Sequence, residues 1–178
     1  KGLYVRAGLP KAKSVARDMS LGKAAPDEGY WEQELMGYAQ NRAGQEVVLI
    51  QGTMKEQLVG ITRSLMESNT QMPIEKLARE IYKGYKDIEL WQARRIAQTE
   101  TMIGLADAGE VAARSLGIRY DKQWVISGLG NTRETHEIMD GVVVDMDEPF
   151  TLPDCQMMYP HDGSLGAPAG EIINCACD

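Results

Sequence analysis

After Asp121 the character of the chain changes, and that change limits the fold more than any other feature. Upstream, apolar residues recur at helical spacing. Val47, Ile50, Met54, Leu58, Ile61 and Leu65 follow one another three or four apart, as do Ile74, Leu77 and Ile81. Such spacing aligns them along one face of a helix. Downstream, short β-branched or aromatic runs alternate with Pro149, Pro153, Pro160, Gly163, Gly166, Pro168 and Gly170. A long helix does not tolerate that punctuation. Helices first and a small loop-rich β region second make an α+β chain.

The boundaries follow from local signals. One helix is expected over 46–68, closed by Ser68-Asn69-Thr70, and the next runs from Pro73 to Gly84. A third is expected from about Ile88 to Leu116, with Asp87 as its N-cap and Gly117 as its stop. Residues 1–44 read as an arm or linker with helical pieces at Lys11–Arg17 and Trp31–Gln40, interrupted around Pro26 and Gly29. Residues 45–178 then form the main domain, helical over 45–117 and β-rich over 118–178. Extended segments are expected at 123–127, 142–144, 150–152, 156–159 and 172–173, with a turn at 128–132.

Composition excludes several classes. From Trp124 onward a single basic residue, Arg133, faces ten acidic ones, whereas the rest of the chain carries 18 basic and 16 acidic residues. Nucleic-acid binders neutralise phosphates with Lys and Arg, so direct DNA binding through this C-terminal third is disfavoured. A protein partner with a basic surface fits it better. No stretch approaches the roughly 20 apolar residues that cross a bilayer, and no apolar signal segment opens the chain. Three cysteines in 178 residues make no disulfide framework and suit a reducing compartment. The start at Lys1 reads as a processed product or a piece of a longer polypeptide.

From Ala93 onward the order of short motifs is ARRIAQTE (93–100), KQW (122–124), NTRETHEIMDG (131–141), Phe150, YPHD (159–162) and INCAC (173–177). No single element is specific. In this order they resemble the phage Mu F-like minor head protein (head morphogenesis) family, and the likeness extends over roughly 45–178. Ala176 stands where the family commonly has Arg, and His161 where Gly is usual. The resemblance implies a minor capsid protein of a bacteriophage, made in the host cytoplasm and carried in the virion. It would dock on the portal vertex or inner capsid, with the portal or a capsid protein as partner, and some such proteins leave with the DNA. Related domains also occur fused to portal proteins or toxin modules, which makes a delivery domain the alternative.

Two sets of residues could carry chemistry. Arg133, His136 and Asp140 share a face if their segment is helical, and with Glu100 they are the candidate catalytic residues of a metal- or His-dependent nuclease. The same residue types also build hydrogen-bonded structural loops, and no matching catalytic partner accompanies them. Cys155, Cys175 and Cys177, with His136 or His161, are the candidate ligands of a structural zinc, the alternative being buried or reducible free thiols. The Cys-x-Cys spacing is tighter than the usual Cys-x2-Cys. Arg94, Arg95 and Glu100 read as structural ion-pairing groups or an anion site. Trp124, Phe150 and Tyr159 read as packing residues. No phosphate-binding glycine pattern and no nucleophile elbow is present.

Overall fold

The computed structural model describes residues 3–19, 28–42, 60, 73–85, 88–128 and 132–178. Of the helix expected over 46–68 only Gly60 is described, and it is helical; the rest of that helix, the Asp87 cap and residues 129–131 of the expected turn lie outside these residues. The chain divides into two compact units, Lys1–Ile118 and Arg119–Asp178. Among the described residues the first is helical and the second holds all the strands, an α+β arrangement.

The helical unit contains α1 (Leu3–Met19), α2 (Glu28–Arg42), α3 (Ile74–Gly84) and α4 (Leu90–Ser115) among its described residues. The first 44 residues, expected as an arm or linker, thus contribute two helices longer than the pieces read from sequence. Leu9, Ala12 and Ala16 of α1 pack with Trp31 and Leu35 of α2 and with Ala108, Val111 and Ala112 of α4. The spacing of three and four between Leu9, Ala12 and Ala16 puts these residues on the side of α1 that faces this core. Trp31 buries its ring and donates its indole N–H to Ser115 Oγ at 2.9 Å, so its polar atom is not stranded.

Helix α4 spans 26 residues and organises the unit. Its cap is Glu89, whose backbone N–H donates to Gln92 Oε1 at 2.7 Å while its own side chain accepts from the Gln92 backbone. That reciprocal pair satisfies two donors which the first helical turn leaves open. Ala93, Ala97, Gly104, Ala108 and Ala112 are all buried along it. Small side chains there let α1 and α3 approach closely. Helix α3 supplies Leu77, Ala78 and Ile81, followed by buried Tyr85. Arg94 pairs with Glu75 at 2.8 Å, but both are exposed and water screens the pair.

Gly117 ends α4 with φ +61 and its N–H bonded to the Arg114 carbonyl at 3.1 Å. This left-handed C′ residue is the stop that the sequence predicts. An added Cβ would meet nothing within 4 Å, so the cost of replacing Gly117 is purely conformational. Gly117→Ala is expected to destabilise by about 1 kcal/mol. Thermal melting of the two chains side by side checks this, and an unchanged or raised midpoint would refute it.

The second unit is built from very short pieces. Strand β1 (Asp121–Gln123) pairs antiparallel with β2 (Val143–Asp145), placing Lys122 opposite Val144. Strand β3 (Phe150–Thr151) pairs with β4 (Gln156–Met157) in a separate ribbon. Two single helical turns, α5 (Glu134–Glu137) and α6 (Ala169–Ile172), complete it. Lys122 ties the ribbons together: its ammonium donates to the Glu148 carbonyl at 2.9 Å and the Met158 carbonyl at 2.8 Å.

Several expected strands are shorter, for identifiable reasons. The segment expected over 123–127 pairs with β2 only through Gln123. Beyond it, Val125 and Asp178 exchange backbone hydrogen bonds of 2.8 and 2.9 Å, and the Ile126 N–H donates to Asp140 Oδ1 at 3.1 Å. The strand expected over 156–159 ends at Met157 because the Met158 N–H is drawn to Asp162 Oδ2 at 3.1 Å. Ile172, expected to be extended, closes the turn α6 that Pro168 opens, and only Ile173 is extended. Two-stranded ribbons of this length are not stable by themselves. Something else must hold the unit.

Candidate metal centre

Three motifs far apart in sequence meet inside the second unit. Helix α5 carries His136 inward, and the segment after α6 brings Cys175 and Cys177 back to it. Asn174, at φ +57, makes the tight bend that turns both sulfurs the same way. Asn tolerates that left-handed conformation better than most residues. Nδ1 of His136 lies 3.4 Å from each sulfur, and the three donor atoms all fall within 4.8 Å of one another. The residues are closed off from water, with His136 at 1%, Cys175 at 3% and Cys177 at 4% exposure.

Aromatic packing walls the cluster. Trp124 has no exposed surface; its ring meets His136 edge-on at 5.2 Å and Phe150 at 5.3 Å. The Arg133 guanidinium donates to the Ile173 carbonyl and so fixes the segment that leads into the cysteines. His161, buried at φ +71, bonds through Nε2 to the Cys177 carbonyl at 3.0 Å. A carbonyl only accepts, so this nitrogen carries the proton. Burial pushes the His161 imidazole below its ordinary pKa, keeping it neutral.

The two thiols behave as a pair. The hydrogen bond from Cys177 pulls the Cys175 thiol far down, with His136 adding to the effect against the opposing influence of burial. Cys177 is pushed up, first by bonding to Cys175 and then by burial. The two sulfurs are thus shifted in opposite directions, and the Cys177 backbone N–H also points at Cys175 Sγ, 3.4 Å away. Trp124 Nε1, His136 Nε2 and His161 Nδ1 are buried without a well-directed hydrogen bond. Three such atoms around one cluster are unusual, because buried polar groups are normally satisfied.

The donor set fits a soft divalent ion. Thiolate sulfur at about 2.3 Å and imidazole nitrogen at about 2.0 Å from a tetrahedral zinc stand about 3.5 Å apart. The two observed S···N separations of 3.4 Å need only a small adjustment to meet this. His136, Cys175 and Cys177 form a candidate metal-binding group.

The remaining candidates are placed differently. Cys155 is half-buried and outside the group, and burial raises its thiol pKa. It is not a fourth ligand in this arrangement. His161 borders the group without joining it. Arg133, His136 and Asp140 do not share a helical face, because α5 is only one turn. Arg133 is its N-cap, and Asp140 lies in the following turn, where it accepts from Ile126. Glu100 is buried on α4 in the helical unit. Arg95 stacks over Trp91 at 5.0 Å. Trp124 and Phe150 are core, as expected, whereas Tyr159 is only half-buried.

Sequence reasoning missed Glu171 and Thr135. Thr135 Oγ1 donates to Glu171 Oε2 at 2.9 Å, and the same oxygen lies 2.9 Å from His136 Nε2. Nothing in the local sequence marks Glu171, since its importance arises only when α6 is laid beside α5.

Fold and site together define an α+β chain whose C-terminal unit is closed around a buried thiol–imidazole centre. No family model matches the chain, and no solved structure is similar to it. Two curated proteins are similar in sequence. The NAD(+)–arginine ADP-ribosyltransferase EFV of Enterococcus faecalis is 34% identical, over 53% of this chain and 22% of its own length. The uncharacterized protein YqbB of Bacillus subtilis is 32% identical, over 64% of this chain and 42% of its own length. The chain therefore spans less than half of either relative. Among the described residues, no helix is long and apolar enough to cross a membrane.

Proposed function

We propose that this chain is a phage minor head domain acting in head morphogenesis, with a C-terminal unit stapled by structural zinc. One observation carries the reading. Five of the six elements of the family-like motif order contribute neighbours to one site: Trp124 of KQW, His136 of NTRETHEIMDG, Phe150, His161 of YPHD and the cysteines of INCAC, whereas ARRIAQTE lies on α4 in the helical unit. A shared order of short motifs is what a common core of this kind imposes on a sequence. His136, Cys175 and Cys177 would hold the zinc by three bonds, and it would cross-link α5 to the segment that carries the cysteines. A buried metal cross-link is one means by which small loop-rich units make up for a small apolar core.

The role is then recognition and assembly. The acidic C-terminal unit suits a basic surface on a portal or capsid protein and not a DNA duplex. Quantitative mass spectrometry of purified phage particles is expected to find a few copies per particle. Their disappearance after DNA release would make this an ejected protein, and complete absence from particles would overturn the assignment.

Nuclease action centred on His136 has little support from the geometry. At 1% exposure, behind Trp124, its ring has no route to a phosphodiester. The delivery-domain reading has one specific observation behind it: the similarity to a small fraction of a much longer protein named as an ADP-ribosyltransferase. A shared module on a larger toxin polypeptide has that relation. The complete open reading frame discriminates the two, because a toxin fusion would place a separate catalytic region on the same polypeptide.

A further inference from the structure

We propose that Glu171, held by Thr135, is the outer carboxylate of the metal centre and fixes His136 in its metal-binding tautomer. The proposal rests on the metal-centre reading above and assigns a positioning role to two residues outside the ligand set.

The argument starts from what each atom can do. A carboxylate only accepts hydrogen bonds, whereas a neutral imidazole has one N–H and one lone pair. Glu171 Oε2 stands 2.9 Å from His136 Nε2, so the imidazole proton belongs on Nε2. The lone pair is then on Nδ1, the atom 3.4 Å from both sulfurs. The opposite tautomer would aim a lone pair at a carboxylate and a proton at the place the metal would take. The contact is short but not aligned as a hydrogen bond.

Glu171 is itself restrained. Its Oε2 also accepts from Thr135 Oγ1 at 2.9 Å, and Thr135 directly precedes His136 on α5. One oxygen therefore ties the ligand helix α5 to α6, the turn that leads into the two cysteines. The carboxylate is mostly shielded, at 16% side-chain exposure, which keeps its field from being screened by water. Metal-bound histidines are generally supported in this manner, by a carboxylate or carbonyl on the other ring nitrogen, and losing that support weakens metal affinity 10- to 100-fold.

Cobalt(II) provides the test, because its visible bands report tetrahedral geometry and its near-ultraviolet bands report thiolate ligation. The full chain is titrated with cobalt(II) and then competed with zinc(II), for wild type and three variants. Glu171→Ala is expected to bind cobalt 10- to 100-fold more weakly, with altered visible bands and retained thiolate bands. Glu171→Gln keeps an acceptor for both donors and is expected to recover affinity to within about tenfold of wild type. Thr135→Val, which removes only the restraint on Glu171, is expected to lose less than Glu171→Ala. Wild-type affinity and spectrum in Glu171→Ala would overturn the positioning role while leaving the metal centre standing. Failure of the wild type to take up either ion would remove the metal-centre reading, and the role of Glu171 with it.

Discussion

Replacing Cys175 and Cys177 together with serine is expected to unfold residues 119–178 while the helical unit keeps its structure. The C-terminal unit has about 60 residues, two ribbons of two or three residue pairs each, and single-turn helices. Domains of that size are marginal, with total stabilities commonly near the low end of about 5–15 kcal/mol. A structural zinc site contributes on the order of 10 kcal/mol of binding free energy, and that binding is coupled to folding. Losing both thiolates removes more than such a unit can spare. The helical unit has its own apolar core in Leu9, Ala12, Ala16, Trp31, Leu35, Ala108, Val111 and Ala112, so its helical circular dichroism should persist. Limited proteolysis with elemental analysis makes the comparison: about one zinc per wild-type chain, none in the variant, and new cleavage confined to 119–178. A strong chelator should reproduce the cleavage pattern in the wild type. Equal protease resistance in all three samples would show that no metal staples this unit.

Trp124→Ala is expected to be the most damaging single change outside the ligands, at about 3–5 kcal/mol. The indole is fully buried and braces two other rings, His136 at 5.2 Å and Phe150 at 5.3 Å. Removing it leaves a cavity beside the centre and frees the imidazole that must face the sulfurs. Its backbone also closes the β1–β2 ribbon, with the Trp124 N–H donating to the Val142 carbonyl at 2.9 Å, and that bond survives the substitution. The loss thus isolates side-chain packing. Urea denaturation with zinc present measures it, and a cost under about 1 kcal/mol would mean that the ring is peripheral.

Much of the helical unit could be read in advance because helices are local. Leu77 and Ile81 declare a buried face by their spacing alone, and Gly117 declares the end of α4 because few other residues adopt a positive φ cheaply. The start of α4 was misplaced because a glutamate at N-cap is an uncommon choice, and Glu89 succeeds only with Gln92 three residues on. The strands were overextended for a different reason. Val125 and Met158 have neighbours suited to a ladder, yet their N–H groups are taken by Asp178 and Asp162, and such competition is decided by tertiary placement.

The site divides along the same line. His136, Cys175 and Cys177 were recognisable by ligand chemistry, which any arrangement bringing them together would use. Cys155 has that chemistry and stands apart, since which way a side chain points is not carried by residue type. Glu171 has an ordinary surface-residue identity and acquires its position only through contact with Thr135 and His136, 36 and 35 residues earlier in the chain.

The pairing of Val125 with Asp178 fixes the order of events during synthesis. Trp124, Val125 and His136 emerge from the ribosome long before their partners at 173–178, and no native closure of the unit is available to them until then. Contacts of such long sequence separation form slowly and expose apolar surface meanwhile. The nascent C-terminal unit thus stays open, with its imidazole and tryptophan uncovered, until residues 173–178 have emerged. A polypeptide that stops before Ile173 lacks these closing contacts altogether.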